Sequence, residues 1–272
     1  MLCLWEREAG ALQMKISACI ITFNEEENIH AACESVSWAD EIVVVDSEST
    51  DATAEIARAC GAKVLFNKWP GFAKQKQFAT DAARHDWVLS LDADERVSPE
   101  LESSIAAWRR RPETELADGY RLARRTFYMG RWIRGGGWYP DFQLRLFNRR
   151  QGSWGDRLIH ESFAMKSGSR VETLSGDLLH YTVRDAAHHQ QMIEERYAPL
   201  GAQQMFREGK RTSSLQAAVA GPSAFVRSYI LKSGFRDGSA GLIIAKFAAR
   251  HASLKHELLL ELQSKEGINP VR

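Results

Sequence analysis

The stretch EIVVVDSESTDATAEIARACGAKVLFN, residues 41–67, holds a complete strand, helix, strand unit. Glu41 to Asp46 is an unbroken apolar run of strand length, the pattern of a strand covered on both faces. Turn formers follow it, then a helical segment closed by Gly61, the residue type that most readily takes the left-handed conformation after a helix. AKVLFN then supplies the next strand.

The same alternation extends in both directions. Upstream, KISACIITF (15–23) is a β-branched run, and a helix is expected over Glu27–Ser37. Downstream, GFAKQKQFATDAARH (71–85) reads as a helix and DWVLSLD (86–92) as a fourth strand. SPELESSIAAWRRR then reads as a helix with Ser98 as N-cap and Pro99 in its first turn. Alternation of this kind predicts an α/β fold, a mostly parallel sheet with helices on both faces. Such sheets bind ligands beyond the carboxyl ends of their strands. Thr22, Asn24 and Glu25 follow the first strand, Asp46 ends the second, and Asp92 and Asp94 end the fourth, so the polar clusters share one rim.

The chain has 272 residues, 44% apolar and 26% charged, with a net charge of +1. That length sustains a proper core, and that charge gives no general attraction to nucleic acid. Cys3, Cys19, Cys33 and Cys60 lack metal-type spacing and read as free thiols of a reducing compartment. Residues 1–13 read as a disordered extension, 14–184 as the α/β domain that carries the polar rim and 185–272 as a basic amphipathic helical region. The N-terminus is a poor signal peptide, and no run reaches the roughly 18 apolar residues that a membrane span requires. A cytoplasmic protein is expected.

Asp92-Ala93-Asp94 places two carboxylates on one side of a strand that is still extended. Paired oxygens of this kind suit Mg²⁺ or Mn²⁺ carrying substrate phosphates. On spacing alone, a solvated turn or a helix cap is an equal alternative.

IITFNEEENI, IVVVDSESTDAT, GFAKQKQFA and WVLSLDADERVS, in that order, resemble the successive blocks of family 2 glycosyltransferases of the GT-A fold, inverting enzymes that use nucleotide-diphosphate sugars. GGGWYPDFQLRLF, HESF and LLHYT further resemble the bacterial enzymes that add a β-linked hexose to heptose in the lipopolysaccharide inner core. The resemblance implies that Thr22, Asn24, Glu25 and Asp46 line the nucleoside pocket, and that Lys74 or Lys76 reaches the donor phosphates. It implies that Asp92 and Ala93 touch the donor, and that Asp92, Asp94 and His180 hold Mn²⁺ or Mg²⁺. A UDP-sugar is favoured, although Ser47 stands where many relatives have a second acid. Asp141 occupies the catalytic-base position, with Pro140 replacing a common glutamate, and Glu161 is a second candidate. Gly135, Gly136 and Gly137 would admit the sugar, with Trp138 as a platform and His160 as an acceptor contact.

From Arg196 through His256 there are ten Lys or Arg against two acids, Glu208 and Asp237. Apolar residues such as Phe225, Val226, Tyr229, Ile230, Leu242, Ile243, Phe247 and Leu254 are interleaved with them. The pattern fits helices that lie on an anionic membrane surface, here the cytoplasmic face of the inner membrane, while a glycolipid acceptor is served. It fits equally a helical region packed on the catalytic domain. No nucleic-acid module accompanies the charge. A noncatalytic membrane-bound scaffold is the competing reading. A sugar-nucleotide pyrophosphorylase would require a glycine-rich, basic N-terminal loop that TFNEEEN does not provide.

Overall fold

The structure is a computed structural model that describes residues 13–155, 162–181 and 185–268. The first half alternates as expected: β1 (Ile16–Thr22), α1 (Ile29–Glu34), β2 (Glu41–Asp46), α2 (Thr53–Ala59), β3 (Lys63–Phe66), α3 (Phe72–Ala82) and β4 (Trp87–Asp92). β5 (Glu95–Val97), α4 (Pro99–Trp108), β6 (Gly119–Tyr128), β7 (Arg131–Trp132), β8 (Asp141–Asn148), β9 (Gly152–Trp154), β10 (Phe163–Met165) and β11 (Val171–His180) complete the strand-rich part. Helices α5 (Ala186–Gln191), α6 (Ala198–Arg207), α7 (Ser214–Val226) and α8 (Gly238–Ile268) follow.

The main sheet runs β3-β2-β1-β4-β8-β6-β11-β5, with β7 on β6. β1, β2, β3 and β4 are mutually parallel. β8 joins β4 antiparallel, β6 is antiparallel to β8, and β11 is parallel to β6. The sheet is therefore parallel in its first half and mixed in its second.

Every residue of β1 is buried, and successive side chains point to opposite faces. Ile16, Ala18 and Ile20 pack with Ile29 and Cys33 of α1, Ala57 of α2 and Leu101, Ile105 and Trp108 of α4. Cys19 and Ile21 pack with Ala73 and Ala79 of α3 on the other side. Burial on both faces is the reason these strands read as continuous apolar runs. It also makes the thiols inert, since burial pushes Cys33 up to about 12 and Cys19 further still.

Register brings the strand ends level: Thr22 lies opposite Asp46, and Ile21 opposite Asp92. The order reverses at β1, between β2 and β4, so the rim lies at the topological switch point. As expected, Ser98 caps α4, its hydroxyl accepting from Leu101 N at 3.2 Å. Gly176, at φ +96°, sits in an irregular part of β11 where a Cβ would lie 2.3 Å from the Leu101 nitrogen. Only glycine allows α4 to approach that closely.

In the helical region, α5 runs through a π-helical turn, Met192–Tyr197, into α6. α7 opens with a capping box between Ser213 and Gln216. α8 packs against α6 and α7 and returns to the strand-rich part, where Ala240 and Ile244 join Tyr128 and Ile133 in a small core. Among the described residues, no helix is long and apolar enough to cross a membrane.

Candidate active site at the strand rim

The LDADER sequence folds back on itself. Asp92 ends β4, and the Glu95 carboxylate accepts a hydrogen bond from the Asp92 backbone N–H at 3.0 Å. Glu95 is fully buried. Its other oxygen accepts from Arg145 Nη2 at 2.9 Å and lies 3.4 Å from Arg124 Nη1. Arg145 Nη2 also reaches Asp92 Oδ2 at 3.0 Å. Lys76, on α3, is 2% exposed and sits 2.9 Å from Asp92 Oδ1. Burial would raise the Asp92 carboxyl, but Lys76 and Arg145 outweigh it and hold the group far below the usual carboxylate range.

The network continues to the expected base. Arg124 grips one oxygen of Asp141, from Nη2 at 2.7 Å and Nε at 2.9 Å. The Gln143 amide donates to the other oxygen at 2.7 Å. Three cations, Lys76, Arg124 and Arg145, thus meet three carboxylates, Asp92, Glu95 and Asp141. Mutual pairing offsets the cost of burying Lys76, Glu95 and Arg145, each of which would be unfavourable alone.

Asp94 takes a different partner. Its Oδ2 lies 3.4 Å from His180 Nε2, and the opposite ring nitrogen of His180 is 3.3 Å from the Thr126 hydroxyl. Burial would raise the Asp94 carboxyl, but the imidazole, by charge and by hydrogen bond, keeps it below its usual range. Asp94 and His180 are 86 residues apart in sequence, and the pairing of β11 with β5 brings them together. Asp92 and Asp94 thus have different partners. Both Asp92 oxygens face cations, whereas Asp94 pairs with His180. Among the described residues no group of three His, Cys, Asp or Glu side chains gathers at one point.

The residues expected to line the nucleoside pocket mostly bind one another. Asp46 is fully buried, and its carboxylate accepts from the Ser49 amide and hydroxyl. The Asn24 N–H donates to that Ser49 hydroxyl, and Asn24 Oδ1 accepts from Thr50 N, both at 2.8 Å. Glu25 donates from its backbone to the Thr53 hydroxyl and accepts from Asn28. These bonds fasten the β1–α1 loop to the β2–α2 loop. The Thr22 hydroxyl is buried without a hydrogen-bond partner among the described residues. Ala93 is buried. Of the two lysines, Lys76 enters the site, whereas Lys74 on the same helix is exposed.

The glycine run makes close approaches within the chain itself. A Cβ on Gly135 would lie 2.4 Å from the Ser233 carbonyl oxygen, and one on Gly137 would meet the Lys232 side chain at 2.6 Å. The Asp237 carboxylate accepts from Arg134 N and Gly135 N, and Gly136 N donates to Lys232 O. These close approaches are to the chain's own 232–237 segment. Trp138 likewise packs edge-on against Tyr128 and His189. His160 and Glu161 lie outside the described residues.

Sequence reasoning missed Glu95, Arg124 and Arg145. Their signal was a charged residue at an inward position of an otherwise apolar strand, as in FQLRLFN. It also missed the π-helical turn that ends at Tyr197. There Arg196 stacks 4.4 Å over Phe72 at the start of α3. Burial pushes the Tyr197 phenol up; Arg196 and Arg124 oppose that shift, and the nearby Asp94 and Asp92 add to it.

Residues 17–170 match the family described as Glycosyl transferase family 2. The chain is 31% identical to the lipopolysaccharide core biosynthesis glycosyltransferase LpsC of Rhizobium meliloti, over 89% of this chain and 90% of that one. It is 30% identical to an uncharacterised glycosyltransferase of Rickettsia typhi, over 92% of this chain and 88% of that one. Among solved structures it is similar to S. aureus TarS 1-349, with 15% identity, a TM-score of 0.47, and 95% and 93% of the two chains covered. It is also similar to glucosyl-3-phosphoglycerate synthase from Mycobacterium tuberculosis, with 26% identity and a TM-score of 0.35, over 45% of this chain and 47% of that one.

Proposed function

Because the chain belongs to glycosyl transferase family 2, we propose that it moves a hexose from a nucleotide-diphosphate sugar, with UDP favoured, to a glycolipid acceptor of the lipopolysaccharide core, with inversion. The observation that carries the reading is the meeting of Lys76, Asp92, Arg145, Glu95, Arg124 and Asp141 in one paired network at the switch point of the sheet. Beside it stands the Asp94 and His180 pair.

A divalent ion fits that pair. A carboxylate oxygen and an imidazole nitrogen converge, and Thr126 orients the ring from behind in the manner of second-layer partners at metal sites. Two protein ligands leave room for water and substrate oxygens, as Mg²⁺ and Mn²⁺ favour. When bound, the ion would neutralise charge on the leaving diphosphate.

Asp141 accepts the proton of the attacking hydroxyl. The acceptor oxygen bonds to the anomeric carbon as the bond from that carbon to the phosphate oxygen breaks, and a single displacement inverts the centre. Arg124 and Gln143 fix the carboxylate in one orientation, which favours a reactive geometry. Lys76 and Arg145 hold Asp92 at the strand tip.

The helical region supports contact with a membrane surface. Leu215 and Leu231 are each 73% exposed, and Val219, Val226, Ile230 and Phe235 are also exposed. Arg227, Lys232 and Arg236 lie among them. Apolar groups with cations between them suit an anionic interface. α8 behaves otherwise, since Ile243 joins the small core and Phe247 stacks on His189 at 4.3 Å. The packed and the interfacial readings of the tail thus apply to different segments.

The test is calorimetric titration of UDP, GDP and CDP with and without Mn²⁺, followed by a transfer assay with the matching hexose donor and deacylated core oligosaccharide. Metal-strengthened binding of one nucleotide, with a β-linked product from an α-linked donor, is expected. A folded protein that binds none of the three would favour the scaffold reading.

A further inference from the structure

Arg125, Arg131, Arg134 and Arg236, with Trp132 and Asp237, line a cavity of about 440 Å³ that the mechanism above does not use. Four guanidinium groups face one carboxylate. That carboxylate is already engaged, since Asp237 accepts from Arg134 N and Gly135 N and is nearly buried. Arg131 donates to the Asp237 carbonyl oxygen at 2.6 Å. Arg125 lies 3.7 Å from Asp177 and over the Trp132 and Tyr139 rings, and its Nε is buried without a hydrogen-bond partner among the described residues. The Arg134 and Arg236 side chains are exposed. Like charges gathered in this way repel one another, and the arrangement becomes favourable when an anion enters.

The cavity borders the rim. Along β6, Arg124 turns to Asp141 and Thr126 to His180, so Arg125 between them points to the opposite face. The Tyr181 ring packs on Trp132 at 5.4 Å, while the Tyr181 N–H donates to the Asp94 carbonyl oxygen at 2.9 Å. The Arg125 guanidinium also lies 5.9 Å from the centre of the Tyr139 ring, two residues before Asp141 in the chain, so the cavity adjoins the segment that leads into the base. On the other side, Arg236 follows the exposed Phe235, at the end of the apolar surface formed by α7 and the turn after it.

We infer that this cavity is an acceptor subsite that binds an anionic substituent, a phosphate or a carboxylate, carried on a sugar next to the one that is glycosylated. The inference rests on the transferase reading above and adds the chemical class of the acceptor. The arginine forks supply bidentate recognition of such oxyanions, and the apolar surface beside Arg236 lets the acceptor rise from a membrane directly into the cavity. The subsite sets which hydroxyl faces Asp141 by anchoring the neighbouring residue.

The experiment is a ligand-observed NMR titration of glucose 6-phosphate and, separately, glucuronate, against the full chain saturated with UDP and Mn²⁺, so that the donor site is filled. It compares wild type with the double variant Arg134→Ala/Arg236→Ala, whose exposed side chains leave the Arg134 backbone bonds in place. Wild type is expected to bind at least one probe saturably, and the variant about tenfold or more weakly, as befits the loss of charge-assisted hydrogen bonds. Preference for the phosphate or the uronate identifies the substituent. Equal affinity in the two proteins, or no binding of either probe by wild type, overturns the subsite. So does a variant that keeps probe binding and instead loses cosedimentation with anionic vesicles, which would make the cavity a headgroup site. UDP affinity, measured in the same samples, reads the transferase proposal separately: its absence overturns that proposal, while the sugar-anion titration still reads the cavity.

Discussion

Replacing Glu95 with glutamine tests whether the rim depends on its buried charge network. The glutamate is fully buried and accepts from Arg145 at 2.9 Å, from Arg124 at 3.4 Å and from the Asp92 amide at 3.0 Å. Glutamine keeps one acceptor oxygen. Its NH₂ must then point either at two guanidinium groups or at a backbone N–H, so one set of donors loses its partner. Three cations are left against two carboxylates. A unit charge pair about 4 Å apart is worth about 4 kcal/mol at an effective dielectric near 20. Arg145 keeps Asp92 and Arg124 keeps Asp141, which reduces the loss. The net expectation is a destabilisation of about 3 kcal/mol, at the lower edge for breaking a buried pair, or a Tm lower by roughly 10 °C in a chain of this size. Urea unfolding followed by circular dichroism measures it. Asp86→Asn serves as the control: it removes ion pairs with the solvent-facing Arg150 at 2.9 Å and with Arg149 at 3.7 Å and is expected to cost less than about 1 kcal/mol. A Glu95→Gln protein within 1 kcal/mol of wild type by this estimate would refute the claim that the network holds the rim together.

Asp141→Asn should retain UDP affinity while transfer falls by about 10² or more, which paired binding and turnover measurements would read; unchanged turnover would remove Asp141 as the base. Gly135→Ala forces a Cβ to within 2.4 Å of the Ser233 carbonyl oxygen and should destabilise by about 1–3 kcal/mol, seen as a lower thermal midpoint; an unchanged midpoint would mean that the 232–237 segment does not dock as described. Burial, with smaller effects from His188 and His251, lowers the His189 pKa from 6.5 to about 4. The unfolded chain takes up that proton first, so stability present above pH 6.5 is lost as pH falls toward 4, by up to about 3 kcal/mol. Denaturant titrations across that range should show the slope in wild type and lose it in His189→Gln. Leu231→Glu combined with Ile230→Glu should weaken cosedimentation with anionic vesicles about tenfold or more, because two exposed apolar side chains are replaced by charges of the lipid's own sign; unaltered sedimentation would place the membrane contact elsewhere.

The first four strands, the helices between them and the rim they share were legible because each element carries its own periodicity. ISACIIT and EIVVVD are buried on both faces, and a continuous apolar run records that burial within a few residues. The Ser98 and Pro99 cap is equally local. Asp94 and Asp141 could be singled out from motifs, as could the late His180, although motif position did not reveal their partners.

Partners depend on strand pairing, which the chain does not spell out locally. His180 meets Asp94 only because β11 lies beside β5, and Arg124 and Arg145 reach the LDADER turn only because β6 and β8 join the sheet next to β4. The tertiary structure showed Asp46 accepting from Ser49 in the fastening of two rim loops. It placed the glycine run against residues 232–237, and it separated the packed face of α8 from the exposed face of α7. By itself the sequence determined which segments are strands or helices and which residue types gather at the rim, since hydrophobic period and turn chemistry act over short stretches. Only the tertiary structure decided which charge neutralises which, because the energy of a buried ion depends on neighbours brought from distant parts of the chain.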